Sequence, residues 1–313
     1  MNAFLPTSPA IVTTTLTKQY PGKLALDRLD LSVEQGAMFG FLGPNGAGKT
    51  TTIKLLLAFI RPTSGTATIF GHDTWSDGVA IRRNIGYLVQ AESLYADRTG
   101  LDQLELAARL SASAPILRQP MLDALELSRN DLNRRFGEYS KGMKQKLALI
   151  AAMQHDPQLL ILDEPSDGLD PLIQRHFLHF LEEFHARGRT VFMSSHDLAE
   201  VERVCREIAI VRDGRLVART TIDEIRRRLL RQVDVTFADK IPSSLDALPG
   251  VTVQSRNGLR VVLTVEGPID PVMRQLTTAT IVDLAVIPPG LDDVFMDYYD
   301  HPVRRLNVGQ DAA

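Results

Sequence analysis

The fold is decided by one stretch of sequence, Gly43-Pro-Asn-Gly-Ala-Gly-Lys-Thr50, which fits the spacing G-x-x-x-x-G-K-[ST]. The apolar run Met38–Leu42 before it is typical of a buried strand, and the residues after it predict a helix that ends before Pro62. Glycines let backbone N–H groups close around phosphate oxygens, and the positive end of the following helix faces the same anion. The stretch therefore predicts a phosphate-binding loop in which Lys49 reaches the terminal phosphates and Thr50 ligates Mg²⁺.

Two carboxylates, Asp163 and Glu164, follow a second apolar run, Leu159–Leu162. At the carboxyl end of a strand in a parallel sheet, such residues lie beside the phosphate loop. Asp163 is predicted to hold Mg²⁺ through water or Thr50, and Glu164 to orient or deprotonate the attacking water. Alternatively, Asp163 and Glu164 are an ordinary acidic pair on the surface. The phosphate loop in the same sequence makes this the weaker interpretation. No Asn-Lys-x-Asp occurs, which argues against a GTPase.

The rest of the chain predicts a mostly parallel α/β sheet, because strands alternate with helices. Residues 94–156 form a helical insert in this prediction, Ile11–Thr15 a short strand and Pro171–Ala186 a helix. Beyond about residue 225, alternating strands and short helices in the order βαββαβ predict a small ferredoxin-like α+β unit. We therefore predict a phosphate-loop NTPase (RecA-like) core with an antiparallel β subdomain at 10–225, an accessory α+β domain at 226–300 and a flexible tail at 301–313. The predicted strands and helices of the accessory domain are Val233–Phe237, Leu245–Leu248, Val251–Ser255, Leu259–Val265, Pro271–Thr278, Thr280–Ile287 and a closing helix, Leu291–Tyr299.

Composition excludes several classes of protein. The 313 residues carry a net charge of −3 at a pI of about 6.2, so no global basic field favours nucleic acid as a partner. Cys205 is the only cysteine, which excludes an internal disulfide framework. No apolar run approaches the roughly 18–20 residues needed to span a bilayer. The sequence alone thus predicts a cytoplasmic protein.

A second signature narrows the family. It is Tyr139-Ser-Lys-Gly-Met143, followed by a basic helical run. With this motif the chain resembles the ATP-binding-cassette (ABC) ATPases. Further positions match that family in order and spacing over residues 11–220. Gln90 resembles the Q-loop glutamine, Ser166-Asp-Gly-Leu-Asp170 the D-loop and His196 the switch histidine, while Tyr20 resembles the aromatic residue on which adenine stacks.

The resemblance implies a mechanism and a site. Two cassettes, as a homodimer or a heterodimer, pack head to tail with ATP between the phosphate loop of one and the signature of the other. Glu164, His196 and Gln90 then take the catalytic roles, and Thr50, Gln90 and Asp163 serve Mg²⁺. The residues expected to contact ATP are Tyr20, Gly43, Pro44, Asn45, Gly46, Ala47, Gly48, Lys49, Thr50, Thr51, Ser140, Gly142 and Asp170.

The signature departs from the family's commonest form, Leu-Ser-Gly-Gly-Gln, at three of five places. Tyr139 replaces Leu, Lys141 replaces the first Gly and adds a positive charge near the incoming phosphate, and Met143 replaces Gln. This form resembles the cassettes of exporters of drugs and antibiotics. We therefore expect the ATPase subunit of an exporter, peripheral on the cytoplasmic face of the cell membrane, with a separate membrane-embedded permease subunit. The alternatives are an importer cassette and a soluble ABC ATPase that acts on nucleic acid, a partner that we do not expect.

Overall fold

The computed structural model describes residues 9–88, 94–111, 113–228, 231–243, 245 and 248–287. The chain divides into two compact units between Arg219 and Thr220. In the described part of the chain, no helix is both long and apolar enough to cross a membrane.

The first unit contains a long succession of short elements. In chain order they are β1 (Pro9–Tyr20), β2 (Lys23–Glu34), β3 (Met38–Leu42), α1 (Lys49–Leu56), β4 (Ser64–Ile69), β5 (His72–Asp73), α2 (Gly78–Arg83), β6 (Ile85–Tyr87), α3 (Gly100–Ser111), α4 (Arg118–Ala124), α5 (Arg129–Leu132), a 3₁₀ turn (Phe136–Glu138), α6 (Lys141–Met153), β7 (Leu159–Asp163), α7 (Pro171–Ala186), β8 (Thr190–Ser195), α8 (Leu198–Val204), β9 (Glu207–Arg212) and β10 (Arg215–Thr221), whose last residues belong to the second unit.

Two sheets form the core of the first unit. The strand order β10-β9-β3-β8-β7-β6 describes a six-stranded sheet in which β3 pairs in parallel with β8 and β9, and β7 in parallel with β8 and β6. The second sheet, β2-β1-β4-β5, is antiparallel throughout. Strand β3 is buried along its whole length, as expected for the centre of a parallel sheet. Its Phe39 and Phe41 rings pack on Phe192 of β8 at centroid distances of 6.0 and 5.3 Å.

The helical insert is organised around a buried glutamine. The side chain of Gln154, just after α6, is fully buried and donates from Nε2 to the Leu104 carbonyl oxygen at 2.8 Å. Its Oε1 accepts from Arg118 Nε at 2.7 Å, and its carbonyl oxygen accepts from Leu117 N at 2.9 Å. These bonds join α3, α4 and α6 at one point and satisfy polar groups that burial would otherwise leave unpaired.

The described part of the second unit contains an antiparallel sheet and two helices. Its described elements are α9 (Ile222–Arg228), β11 (Arg231–Phe237), β12 (Val251–Asn257), β13 (Arg260–Val265), α10 (Asp270–Leu276) and β14 (Ile281–Ile287). The strand order β12-β13-β11-β14, with every adjacent pair antiparallel, is the one that a βαββαβ chain gives in a ferredoxin-like unit. The core lies on one face of this sheet. Val233, Val235 and Phe237 of β11 are buried there, and they alternate along the strand with polar residues that are less buried.

The predicted elements differ from the observed ones mainly at their ends. Both Met38–Leu42 and Pro171–Ala186 have the predicted bounds, and the helix after the phosphate loop ends at Leu56, before Pro62. Strand β1 is longer than predicted. Its pairing with β2 shifts register at several points, and the strand continues through these shifts instead of ending at them. Strands β9 and β10 were not predicted. The closing helix predicted at Leu291–Tyr299 and most of the one at Leu245–Leu248 lie outside the described residues.

Gln154→Ala should lower the free energy of unfolding by about 1–3 kcal/mol, because buried groups lose their partners. Gln119→Ala is the matched control, since its amide makes one exposed bond to Asp123 within the same insert. This control should change stability by less than about 0.5 kcal/mol. Urea denaturation followed by tryptophan fluorescence and circular dichroism measures both, and equal losses would contradict the role assigned to Gln154.

Candidate active site

The phosphate loop lies between β3 and α1 and depends on glycines. Gly48 has a φ of +109°, and a Cβ there would lie 2.8 Å from the Ala25 carbonyl oxygen. A Cβ on Gly43 would lie 2.4 Å from the Val211 carbonyl oxygen. Helix α1 begins without a side-chain cap or an acidic residue in its first turn. Its first N–H groups and the positive end of its dipole therefore favour an anion at this position.

Thr50 and Asp163 meet beside the loop, as predicted for a pair that serves Mg²⁺. The Thr50 hydroxyl donates to Asp163 Oδ2 at 2.8 Å, and the other carboxylate oxygen accepts from Ser194 Oγ. Asp163 ends β7 and lies opposite Ser194 of β8 in the sheet register. The position of this carboxylate is thus fixed from two sides.

Glu164 lies between a lysine and a histidine. Its Oε1 is 3.2 Å from Lys49 Nζ, and its Oε2 contacts Nδ1 of His196. Lys49 is 5% exposed, and its ammonium group also donates to the carbonyl oxygens of Gly43 at 2.6 Å and Pro44 at 3.3 Å. The backbone of Glu164 has a φ of +51°, a strained conformation for a non-glycine residue and one that recurs at functional sites. Its N–H donates to the Ser194 carbonyl oxygen at 3.2 Å, which holds the turn.

A pocket opens over the phosphate loop. Besides the loop, two residues of β2 and one carboxylate line it; the lining residues are Lys23, Ala25, Pro44, Asn45, Gly46, Gly48, Lys49, Thr50, Thr51 and Glu164. Tyr20 is not among them. Tyr20 is 37% exposed and pairs with Lys23 across the β1–β2 turn, and the centroid of its ring lies 5.1 Å from Lys18 Nζ. The stacking role of Tyr20 stays a prediction.

Apart from the buried Tyr139, the signature is at least partly exposed, and none of its residues lines this pocket. Ser140 is exposed and caps α6, where its hydroxyl oxygen accepts from Met143 N at 3.2 Å. Gly142 approaches the D-loop so closely that a Cβ would lie 3.0 Å from the Gly168 carbonyl oxygen. Lys141 Nζ lies 3.0 Å from both carboxylate oxygens of Asp167, so its charge is paired within the chain instead of facing a phosphate.

One further departure, Tyr139, and the last D-loop residue, Asp170, have local structural partners. Tyr139 is buried and donates to the Asp131 carbonyl oxygen at 2.6 Å, and burial raises the pKa of its hydroxyl to about 12. Asp170 caps α7 by accepting from Leu172 N and Ile173 N, bonds that hold the pKa of its carboxyl below its usual value. Its predicted contact with ATP stays a prediction.

Several residues of the site were not predicted, and one predicted residue falls outside the described part. Gln90 lies outside the described residues. Ser194 and Glu200, which lie in or just after the Ser-Ser-His-Asp stretch, were missed although their polarity after an apolar strand was a signal. Lys23 was missed because only the folded β1–β2 hairpin brings it to the pocket. No group of three or more histidine, cysteine, aspartate or glutamate side chains arranged for a metal occurs among the residues the structure describes.

Comparison with known proteins decides the family. The ABC transporter family model matches residues 26–167. The chain is 37% identical over 239 residues to the bacitracin transport ATP-binding protein BcrA of Bacillus licheniformis, which covers 74% of this chain and 76% of that protein. The chain belongs to the ABC transporter family. This ABC protein is also 33% identical over 309 residues to the daunorubicin/doxorubicin resistance ATP-binding protein DrrA of Streptomyces peucetius, covering 94% of this chain and 93% of that protein.

A solved structure agrees with this assignment. The ATP-binding subunit of an ABC transporter superposes with a TM-score of 0.65 at 33% identity, over 70% of this chain and 92% of that one. The fold class predicted from the sequence is therefore confirmed. The chain is an ATP-binding, ATP-hydrolysing ABC subunit. Other relatives carry names that describe export, of fluoroquinolones and of Nod factor.

Gly48→Ala should weaken ATP binding at least about tenfold, because the new Cβ meets the Ala25 carbonyl oxygen and displaces the loop. Gly188→Ala is the matched control: its φ of +79° imposes similar strain, but nothing lies within 4 Å of the added atom. The control should lose stability without losing affinity. Calorimetric titration of ATP into each variant compares them, and equal affinities would contradict the steric argument.

Proposed function

We propose that this ABC ATPase powers export through a separate membrane-embedded permease, and that it hydrolyses ATP between two cassettes, in a homodimer or with a second cassette. One observation carries the dimer: the pocket and the signature are separate surfaces of one chain. Ser140 is exposed at the start of α6, and neither it nor Gly142 lines the pocket at the phosphate loop. A helix start with free N–H groups binds phosphate well, so a second copy can close the pocket with its signature.

The residues of the pocket support a mechanism of hydrolysis. In our proposal, Lys49 exchanges its contact with Glu164 for the terminal phosphates, and the loop N–H groups hold the remaining oxygens. Glu164 is then free to accept a proton from the attacking water, and His196 beside it holds the γ-phosphate. Loss of the shared phosphate removes the ligand that favours the closed dimer, so the dimer opens.

The oxygen atoms at Thr50 and Asp163 fit Mg²⁺. Both side chains offer oxygen, the ligand that Mg²⁺ prefers, and one or two carboxylates together with substrate phosphates are its usual set. We propose that Thr50, Asp163 and Gln90 hold the ion. The ion, when bound, neutralises charge on the β- and γ-phosphates.

An exposed apolar surface supports docking on the permease. We name it the α1–α2 surface: Phe59 and Val79 are 51% and 65% exposed, and the Phe59 ring packs edge-on against Tyr87 at 5.6 Å. Arg82 lies over the same ring and donates to the Leu57 carbonyl oxygen at 2.8 Å, which anchors the surface. We propose that a cytoplasmic helix of the permease binds there, so that the cassette is peripheral on the cytoplasmic face of the cell membrane.

The relatives support a cargo of drug or antibiotic type. The two relatives named above are a bacitracin transport protein and a daunorubicin/doxorubicin resistance protein. An importer cassette is the alternative. The permease contacts the cargo, and its sequence rather than this one defines specificity.

Glu164→Gln should bind ATP with nearly unchanged affinity, lose at least about a hundredfold in turnover, and accumulate a closed dimer, because the base is removed while the phosphate contacts remain. Size-exclusion chromatography with ATP and a phosphate-release assay measure both effects. Glu183→Gln, on the exposed face of α7, is the control and should behave as the parent. Full-rate hydrolysis by Glu164→Gln would refute the base assignment.

The Glu164→Gln form, bound to ATP, should also capture its permease from detergent-solubilised membranes of the native host. The expected partner has several apolar spans of about 20 residues each. Phe59→Glu in the same background should abolish capture without reducing ATP binding, because it places a charge on the α1–α2 surface. Recovery of ribosomes or DNA without a membrane protein would refute the transport assignment.

A further inference from the structure

Glu200 is a buried acidic residue that the proposed mechanism does not use. It lies in α8 and is only 6% exposed. Its Oε1 contacts the Ser166 hydroxyl, and its Oε2 accepts from the Ser195 hydroxyl at 2.8 Å. Burial, together with the nearby carboxylates of Asp197 and Glu164, raises the pKa of its carboxyl. A residue that only filled space here would avoid this desolvation cost by being apolar.

The two serines belong to two different functional loops. Ser166 begins the D-loop, whose next residue, Asp167, pairs with Lys141 of the signature. Ser195 ends β8 immediately before His196, and its carbonyl oxygen accepts from Gly43 N of the phosphate loop at 3.4 Å. We call Ser166, Ser195 and Glu200 the Glu200 clamp. Through it, one carboxylate fixes the distance between the D-loop and the strand end that carries His196.

The start of α8 holds the clamp in place. Asp197 caps the helix by accepting from Ala199 N at 2.8 Å and Glu200 N at 3.4 Å. The Ser195 hydroxyl oxygen in turn accepts from Asp197 N at 2.9 Å. His196 is therefore placed by residues on both sides of it, although its own ring is exposed.

We propose that Glu200 is a positioning residue for ATP hydrolysis: it holds His196 against Glu164 through Ser195, and holds the D-loop beside the signature through Ser166. The inference rests on the proposed function, in which Glu164 is the base and His196 holds the γ-phosphate. Glu200 touches neither ATP nor water in this scheme and acts only by geometry. A small displacement of a catalytic group can lower the rate of hydrolysis by a large factor, so a residue that only positions such groups can strongly affect kcat.

Glu200→Ala should lower kcat at least about tenfold and change the ATP dissociation constant less than about threefold, because Lys49 and Thr50 keep their positions. Glu200→Gln should restore most of the rate, since its amide can accept from one serine and donate to the other. Phosphate release and calorimetric titration on the full-length chain measure the two constants. Glu183→Gln again controls for the loss of a carboxylate.

A double substitution separates positioning from a general structural effect. Ser166→Ala combined with Glu200→Ala should be no slower than Glu200→Ala alone, because both remove the contact between the Ser166 hydroxyl and the Glu200 carboxylate. Independent losses that multiply, or a fall in affinity that parallels the fall in kcat, would overturn the inference. If Glu200→Ala does not fold, Glu200→Gln, Ser166→Ala and Ser195→Ala decide instead. A reduced kcat at unchanged ATP affinity in the two serine variants, but not in Glu200→Gln, supports the clamp. A parent-like kcat in the serine variants overturns it.

Glu164→Gln, assayed in parallel, separates this inference from the proposed function. If Glu164→Gln is inactive while Glu200→Ala is fully active, only the clamp inference is overturned. Full activity of Glu164→Gln would remove the base on which the clamp is proposed to act, whatever Glu200→Ala does.

Discussion

Three neighbouring parallel strands end at one edge of one sheet, and the contacts among the phosphate loop, Asp163, Glu164 and His196 depend on that constraint. Leu42 of β3 lies opposite Ser195 of β8, and Ser194 lies opposite Asp163 of β7. The residues that follow these strand ends are the phosphate loop, His196 and Glu164. Sheet hydrogen bonds thus bring the phosphate loop to Asp163, which lies 113 residues beyond Thr50 in sequence. Ligands of open α/β sheets bind at this edge.

The electrostatics of the edge are organised around one buried ammonium group. Lys49 Nζ is held by two carbonyl oxygens and the Glu164 carboxylate, which together replace the water that burial removes. A buried cation with such partners is a prepared site for a polyanion, because the triphosphate can replace the carboxylate without leaving the charge unpaired. In the mechanism that we propose, the same exchange releases Glu164 to act as the base beside the phosphate.

Local signals predicted the site best, and long-range packing explains what they missed. The glycines of the phosphate loop and the Asp170-Pro171 start of α7 determine their own backbone, through positive φ and capping, so their bounds could be read from the sequence. Strand β9 depends instead on pairing with β3, and Lys23 reaches the pocket only through a folded hairpin. The pairing of Lys141 with Asp167 is equally non-local, and it corrects the expectation that this lysine faces the phosphate.

The unusual signature keeps the chemistry that phosphate binding requires. The Ser140 hydroxyl oxygen accepts from Met143 N, which leaves its hydrogen available for a phosphate oxygen of a second cassette. Replacing Gln by Met removes only the reciprocal half of a capping box, so the helix start keeps its shape. The exposed Lys141–Asp167 pair adds at most about 1 kcal/mol of stability, and its consequence is therefore geometric. It ties the signature to the D-loop, so that both would meet the opposing cassette as one surface.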